Sequence, residues 1–241
     1  MSLRDYLHHH FVDGATLAWM AGISTARLNV LIESGAVPEP SYLVLDDYIE
    51  SAAFGRIHGV AADAGRYFRP EQLRWVQIAG KAAPGQERQA VLAVLCQELR
   101  DALRDATFAQ AGAAAQIKTP VKTPIAMQQT AQADAQQDAQ IEQQLHSLLP
   151  HFFNGTFGLC VANPACGYAI VRKELLQAHL SALTEHGTLA APPGVTALEL
   201  QRLIDDFAAV SMPFSPAEYP RSSRKRLVDD LRNKMQQPVA A

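Results

Sequence analysis

Residues 16–42 carry the local pattern that most restricts how this chain can fold. The segment reads TLAWMAGISTARLNVLIESGAVPEPSY. Gly22 fits a tight turn, and Ser24 is a preferred cap for a helix that starts after it. The second helix carries apolar residues at helical spacing, namely Leu28, Leu31 and Ile32. The segment therefore predicts two short helices joined by a turn and packed on one side.

Helical spacing of apolar residues continues along most of the chain, and signals for strands are short and sparse. We expect a strand at residues 42–45 and a third short helix that Asp46 would cap. Asn163 and Pro164 indicate the start of a long helix that would run to about His186. The prediction is a mainly α fold with little β structure. The further helices are expected near residues 3–11, 70–83, 86–109, 138–150, 195–210 and 222–235.

The composition changes after Ala109, where the chain becomes rich in alanine and glutamine and contains two Thr-Pro pairs. Such a segment supplies too little apolar surface to build a core, so we interpret residues 111–134 as a linker. The linker separates a helical domain at 1–110, with the two-helix motif at 13–55, from a second helical domain at 135–241.

Charge and composition exclude several classes of protein. The net charge is −3 over 241 residues, so no global positive field attracts nucleic acid or an anionic membrane. No apolar run approaches the roughly 20 residues that span a bilayer. The chain contains three cysteines and no signal-peptide pattern, which favours the cytoplasm over a disulfide framework.

The spacing in residues 16–42 is similar to the first two helices of the MerR and excisionase type of helix-turn-helix, with or without a wing. That resemblance implies DNA binding through the exposed side of the second helix, with Thr25, Arg27 and Asn29 as the candidate contacts. None of the outward positions is basic, and Arg27 stands at the flank; the outward positions are Thr25, Ala26, Asn29, Val30 and Glu33. Residues 13–75, however, contain five arginines, no lysine and eight acids. Because DNA affinity depends on neutralising phosphates, this balance disfavours DNA as the partner.

A basic cluster near the C-terminus is the second place where DNA could bind. Residues 221–234 hold six cations and two acids. The cluster lacks interleaved aromatic residues, so a protein contact is favoured over nucleic acid. Its leading cations are Arg221, Arg224, Lys225 and Arg226.

The three consecutive histidines at residues 8–10 are of a type that binds metal ions, but their spacing does not fit a metal site. Successive residues of a helix point about 100° apart, so three adjacent histidines cannot converge on one ion. We therefore predict no metal site, and no cofactor motif is visible.

The most unusual stretch of the second half is HFFNGTFGLC at residues 151–160. One interpretation makes Cys160 a nucleophile with His151 or His179 as its base. The other makes it a small buried hydrophobe within a packed turn. Further along, Lys173 interrupts an apolar helix face. Its stem can lie along the apolar surface, or a buried Lys173 paired with Glu174 can form a functional site.

Three stretches together resemble an uncharacterised bacterial family, a domain of unknown function whose members are labelled natural-product biosynthesis proteins. They are LNVLIESGAVPEPSY, YFRPEQLRWV and the block from HFFNGTFGLCVANP to IVRKELLQAHLSALTEHG. The resemblance implies association with a biosynthetic pathway and assigns no catalytic residue. Positions that match its most specific block are His151, Gly155, Gly158, Cys160, Lys173 and Glu174.

Three functions remain open. The first is a non-catalytic accessory protein that binds a protein partner or a small metabolite, and it is favoured because catalytic and cofactor signatures are missing. The others are a DNA-binding regulator, which as a homodimer could gain the missing cations, and a small enzyme using His151, Cys160 or Lys173. The residues expected to bind a ligand or partner are His151, Phe152, Phe157, Cys160 and Lys173.

Overall fold

The computed structural model describes residues 2–59, 61–115 and 124–236, with the side chains of 107–115 and 124–134 left aside. Ten α-helices and five short strands form the described part. The helices are α1 (Leu3–His10), α2 (Gly14–Ala21), α3 (Thr25–Glu33), α4 (Leu73–Lys81), α5 (Glu87–Ala115), α6 (Pro124–Phe153), α7 (Thr156–Cys160), α8 (Gly167–Leu183), α9 (Ala197–Val210) and α10 (Asp230–Gln236). The predicted mainly α fold with little β structure is confirmed.

The strands form one antiparallel sheet in the order β1-β5-β2-β3-β4. They are β1 (Val12–Asp13), β2 (Tyr42–Val44), β3 (Tyr48–Ser51), β4 (Gly55–His58) and β5 (Gly65–Phe68). Tyr42 faces Ser51 on one side and Tyr67 on the other, so β2 lies between β3 and β5. The sheet follows α2 and α3 directly in the chain.

The first two helices of the 16–42 segment form as their caps predict. Asp13 and Ser24 accept hydrogen bonds from the backbone of Thr16 and Arg27 at the starts of α2 and α3. Gly22 ends α2 in the left-handed conformation, with a φ of 69°. The two helices are bent by 102° at the break between them. Local capping therefore sets this corner of the fold.

The third helix predicted after Asp46 is wrong, because residues 48–58 form the β3–β4 hairpin. Along β3 the exposed Glu50 lies between the buried Ile49 and Ser51, which is the period of a strand and not of a helix. The Ser51 hydroxyl also accepts hydrogen bonds from the backbone of Ala53 and Phe54, which fixes the turn.

The long helix predicted from Asn163 begins later, at Gly167, and ends at Leu183. The preceding carbonyl groups are held by side chains from the first half of the chain. Trp75 Nε1 donates to Pro164 O at 3.0 Å, and Arg74 donates to the carbonyl of Ala165. The carbonyls of residues 164 and 165 thus accept hydrogen bonds from side chains of another part of the fold.

Two clusters of buried apolar residues hold the molecule together. The larger one draws on α1 to α5, the sheet, α6, α7 and the first half of α8, and includes Leu3, Trp75, Phe152 and Ile170. The smaller one joins Leu180 of α8 with α9, α10 and the π-helical turn Lys225–Asp229. Helix α8 thus belongs to both clusters.

Part of the segment predicted as a linker, residues 111–134, is helical. Residues 111–115 continue α5 and residues 124–134 begin α6, while 116–123 lie outside the described residues. The larger cluster combines side chains from both sides of the linker. Whether 1–110 and 135–241 fold independently stays a prediction.

No single helix of the described part is long and apolar enough to cross a bilayer. Only α2 and α3 taken together reach the required length and composition, and they are strongly bent at their break.

Candidate functional site

The HFFNGTFGLC stretch, residues 151–160, packs against the first half of the chain. We call this contact the seam. Phe153 O accepts a hydrogen bond from Glu39 N at 2.8 Å, and Gly155 O accepts one from Ser41 Oγ at 3.0 Å. Thr156 Oγ1 donates to Ala52 O at 3.2 Å. The backbone of this stretch is therefore bonded to the loop before β2, and its Thr156 side chain to the turn after β3.

The two glycines of this stretch permit that close approach. Gly155 has a φ of 80°, and a Cβ atom added there would lie 2.7 Å from Glu39 O and 2.8 Å from Pro40 O. A Cβ on Gly158 would overlap the Ser41 hydroxyl. The glycines of the motif thus serve the packing of the seam.

Cys160, Lys173 and Glu174 come together beneath the seam. Lys173 is 3% exposed and Cys160 is 7% exposed. Lys173 Nζ donates to Glu174 Oε1 at 2.8 Å and lies close enough to the Cys160 thiol for the two groups to interact electrostatically. The structure thus brings together Cys160, Lys173 and Glu174, but neither of the two histidines that we weighed with them for catalysis.

The electrostatics of this trio oppose nucleophilic chemistry. Burial raises the pKa of Cys160, and the nearby Lys173 offsets only part of that effect. Burial alone would lower the pKa of Lys173, but Cys160 and Glu174 raise it above its ordinary value. A raised thiol pKa disfavours the thiolate, which is the reactive form of cysteine.

The histidines considered as bases lie elsewhere. His151 is exposed, with its ring 6.2 Å from that of Phe157, and His179 is exposed on α8. Phe152 and Phe157 are each 3% exposed, and Phe152 stacks edge-on against Trp75 at 5.1 Å. Binding roles for His151, Phe152, Phe157, Cys160 and Lys173 stay predictions, and all but His151 are buried in this structure.

Two of the three residues expected to contact DNA through the two-helix motif already have partners. Arg27 forms an ion pair with Glu87 at 2.6 Å. Asn29 accepts a hydrogen bond from Arg66, whereas Thr25 is exposed.

Of the four leading C-terminal cations, two are held by polar groups of the chain and two are exposed. Arg224 donates to Ala208 O and Ser211 O at 2.7 Å each, and Lys225 pairs with Asp230 at 2.7 Å. Arg221 is exposed and stands 4.9 Å from the centre of the Phe54 ring, and Arg226 is exposed. The DNA-binding roles of these residues stay predictions.

The histidines of the run have different neighbours, although the rings of His9 and His10 lie edge-on with centres 4.5 Å apart. His8 Nε2 contacts Asp63 at 3.1 Å, while His10 packs against Tyr6 with ring centres 4.9 Å apart. Within residues 2–59, 61–115 and 124–236, no group of three metal-binding side chains is close enough to hold an ion.

Sequence reasoning missed a large open groove between the two hydrophobic clusters. Its volume is about 1130 Å³, and it is formed by the C-terminal half of α5, by α8 and by Asp206 of α9. Its floor is apolar and consists of Ala102, Ala106, Val171, Leu175, Leu176, Ala178, Ala182 and Leu183. Its polar groups are Tyr168, Arg172, His179 and Asp206.

A weak signal for this groove was present in the sequence. Helix α8 carries Val171, Leu175, Leu176 and Leu183 on more of its circumference than one packing partner can cover. The sequence shows the apolar stripe of Leu176, Leu180 and Leu183, but it does not show which of these side chains are covered by other helices. Leu180 is fully buried, while Leu176 and Leu183 line the groove.

Comparison with known proteins gives one match. A family model described as a family of unknown function (DUF6058) matches residues 106–236, which is just over half of the chain. Neither a curated protein nor a solved structure matches the chain significantly. The matched region includes the seam motif, the buried Cys160–Lys173–Glu174 trio and most of the groove. The chain therefore belongs to this uncharacterised family, DUF6058.

Proposed function

We propose that this protein is a non-catalytic accessory protein of bacterial natural-product biosynthesis that binds an apolar small molecule in the α5–α8–α9 groove. The observation that carries the proposal is the groove itself. Binding sites for small molecules are concave and mostly apolar, with a few polar groups that orient the ligand. They also occur preferentially where two packed units meet, as this groove does between the two hydrophobic clusters.

The pathway assignment rests on the resemblance of the seam block to proteins labelled with natural-product biosynthesis. The non-catalytic part rests on chemistry within the chain. The buried thiol and ammonium groups have no described access to solvent, and His151 lies apart on the surface. An accessory role needs a ligand site and no reacting side chain.

Filling the groove tests this proposal. Ala178 is exposed and lines the groove, so Ala178→Trp should occupy it without disturbing either core. We expect the neutral dye Nile red to bind the wild-type protein with a blue-shifted, enhanced emission, and binding to weaken about ten-fold or more in Ala178→Trp. Native mass spectrometry of protein purified from its own host should show a bound small molecule that this variant loses.

The matched control is Ala26→Trp, which adds the same side chain at an exposed position of α3, remote from the groove lining. Equal dye binding by both variants would contradict the proposal. So would turnover of a pathway intermediate by the pure protein that Cys160→Ser or Lys173→Ala abolishes, since this result would support the enzyme alternative.

A second candidate function is a DNA-binding regulator of the pathway. The observation that favours it is the short turn between α2 and α3, the 102° bend and the antiparallel hairpin that follows, which suit a MerR-like winged helix-turn-helix. Against it stand the paired Arg27 and the acidic surroundings. A gel shift with promoter DNA from its own gene neighbourhood tests this alternative, and no shift at low salt would end it.

A further inference from the structure

The large groove continues into a second, smaller one. The two share His179, Leu183 and Asp206, so they form one elongated channel along α8 and α9. The second groove has a volume of about 360 Å³ and a higher proportion of polar groups. Its other lining residues are Gly194, Val195, Glu199, Arg202 and Leu203. A molecule occupying both grooves needs an apolar body and a polar end.

The acidic groups of the smaller groove are already engaged. One carboxylate oxygen of Glu199 accepts hydrogen bonds from Thr196 N and Thr196 Oγ1, each at 2.8 Å, in the capping box of α9. Asp206 pairs with Arg172 across the channel at 3.4 Å. Both carboxylates therefore already have donors within the chain, and a cationic ligand would have to displace them.

The two basic groups of the smaller groove, in contrast, are available to a ligand. Arg202 and His179 are both exposed, and neither makes a hydrogen bond or an ion pair with any residue that the structure describes. Glu199 is a neighbour of Arg202, but its pKa is lowered chiefly by the Thr196 backbone and hydroxyl, with Arg202 contributing less. The guanidinium group of Arg202 therefore keeps its donors available at the polar end of the channel.

We propose, building on the function proposed above, that the ligand is an anionic amphiphile. Its apolar chain would lie on the floor of the large groove. Its carboxylate would bind Arg202, with His179 beside it where the two grooves meet. Arginine suits this role because its planar fork can hold both oxygens of a carboxylate. The channel thus selects carboxylic acids over amines and alcohols of the same chain.

Competition between matched probes tests the selection. Decanoate, decylammonium and 1-decanol share one alkyl chain and differ in the charge of the head group. Each would displace Nile red from the wild-type protein at concentrations below micelle formation. We expect decanoate to compete about three- to ten-fold better than 1-decanol, and decylammonium to compete worst. Arg202→Gln should abolish the preference for decanoate while Nile red still binds.

Arg4→Gln is the control, because Arg4 is an exposed arginine on α1 that lies outside both grooves. It should leave the order of the three probes unchanged. Arg202→Glu should reverse the preference towards decylammonium. Equal competition by all three probes, or an unchanged preference in Arg202→Gln, would overturn the anionic ligand and leave the groove proposal standing. Failure of Nile red to bind at all would overturn both.

Discussion

Replacing Gly155 by alanine is expected to lower the free energy of unfolding by about 2–5 kcal/mol. A non-glycine residue in the left-handed region costs roughly 1–2 kcal/mol, and forcing an extra carbon into a packed site costs about 1–3 kcal/mol. Both costs apply here, because the new Cβ would meet the carbonyl oxygens of Glu39 and Pro40. Neither atom belongs to a side chain that can rotate away. Urea denaturation followed by circular dichroism measures the loss.

Gly85→Ala is the matched control for this prediction. Gly85 has a φ of 83°, close to that of Gly155, but a Cβ there would meet no atom within 4 Å. Its substitution should show the backbone cost alone, about 1–2 kcal/mol. If the two alanine variants lose equal stability, the seam does not depend on the close approach of the two halves.

Replacing Glu218 by alanine is expected to cost about 3–5 kcal/mol of stability. Glu218 is fully buried in the loop between α9 and α10. Its carboxylate accepts hydrogen bonds from three hydroxyl groups, those of Tyr42 and Ser51 in the sheet and of Ser215 in its own loop. Alanine would leave all three hydroxyls buried without an acceptor, and each such group costs about 1–3 kcal/mol.

A double-mutant cycle identifies the cause of that loss. Tyr42→Phe removes one donor, so the combined Glu218→Ala/Tyr42→Phe variant should be more stable than the sum of the single losses predicts. Glu50→Ala is the control, since Glu50 is an exposed acid on β3 and should change stability by less than about 0.5 kcal/mol. Strict additivity of the two losses would argue against the hydroxyl network as the source of the stability.

Local features of the fold could be predicted from the sequence. The caps at Asp13 and Ser24, the turn at Gly22 and the strand near Tyr42 depend on neighbouring residues, and the structure has each of them. The β3–β4 hairpin was missed because its two strands have only four residues each and contain few strand-forming side chains.

Long-range features were less accessible. Glu218 stands in a proline-containing loop, where its sequence context predicts exposure to solvent. Two of its three hydroxyl partners, Tyr42 and Ser51, come from residues more than 160 positions earlier. The groove is assembled from α5, α8 and α9, which no single periodicity relates. The pairing of Lys173 with Glu174 could be predicted, because the two residues are adjacent. The proximity of Lys173 to Cys160 could not, because it depends on how α7 packs against α8.

The shared core has a practical consequence for fragments of this protein. The family match begins at residue 106, inside α5, so it divides both a helix and the larger hydrophobic cluster. A separately expressed 106–236 fragment would expose Phe152, Phe157 and Val161 to water, because α1 to α4 and the sheet would be missing. We therefore expect such a fragment to be insoluble, because its share of the larger cluster would lose the side chains that cover it.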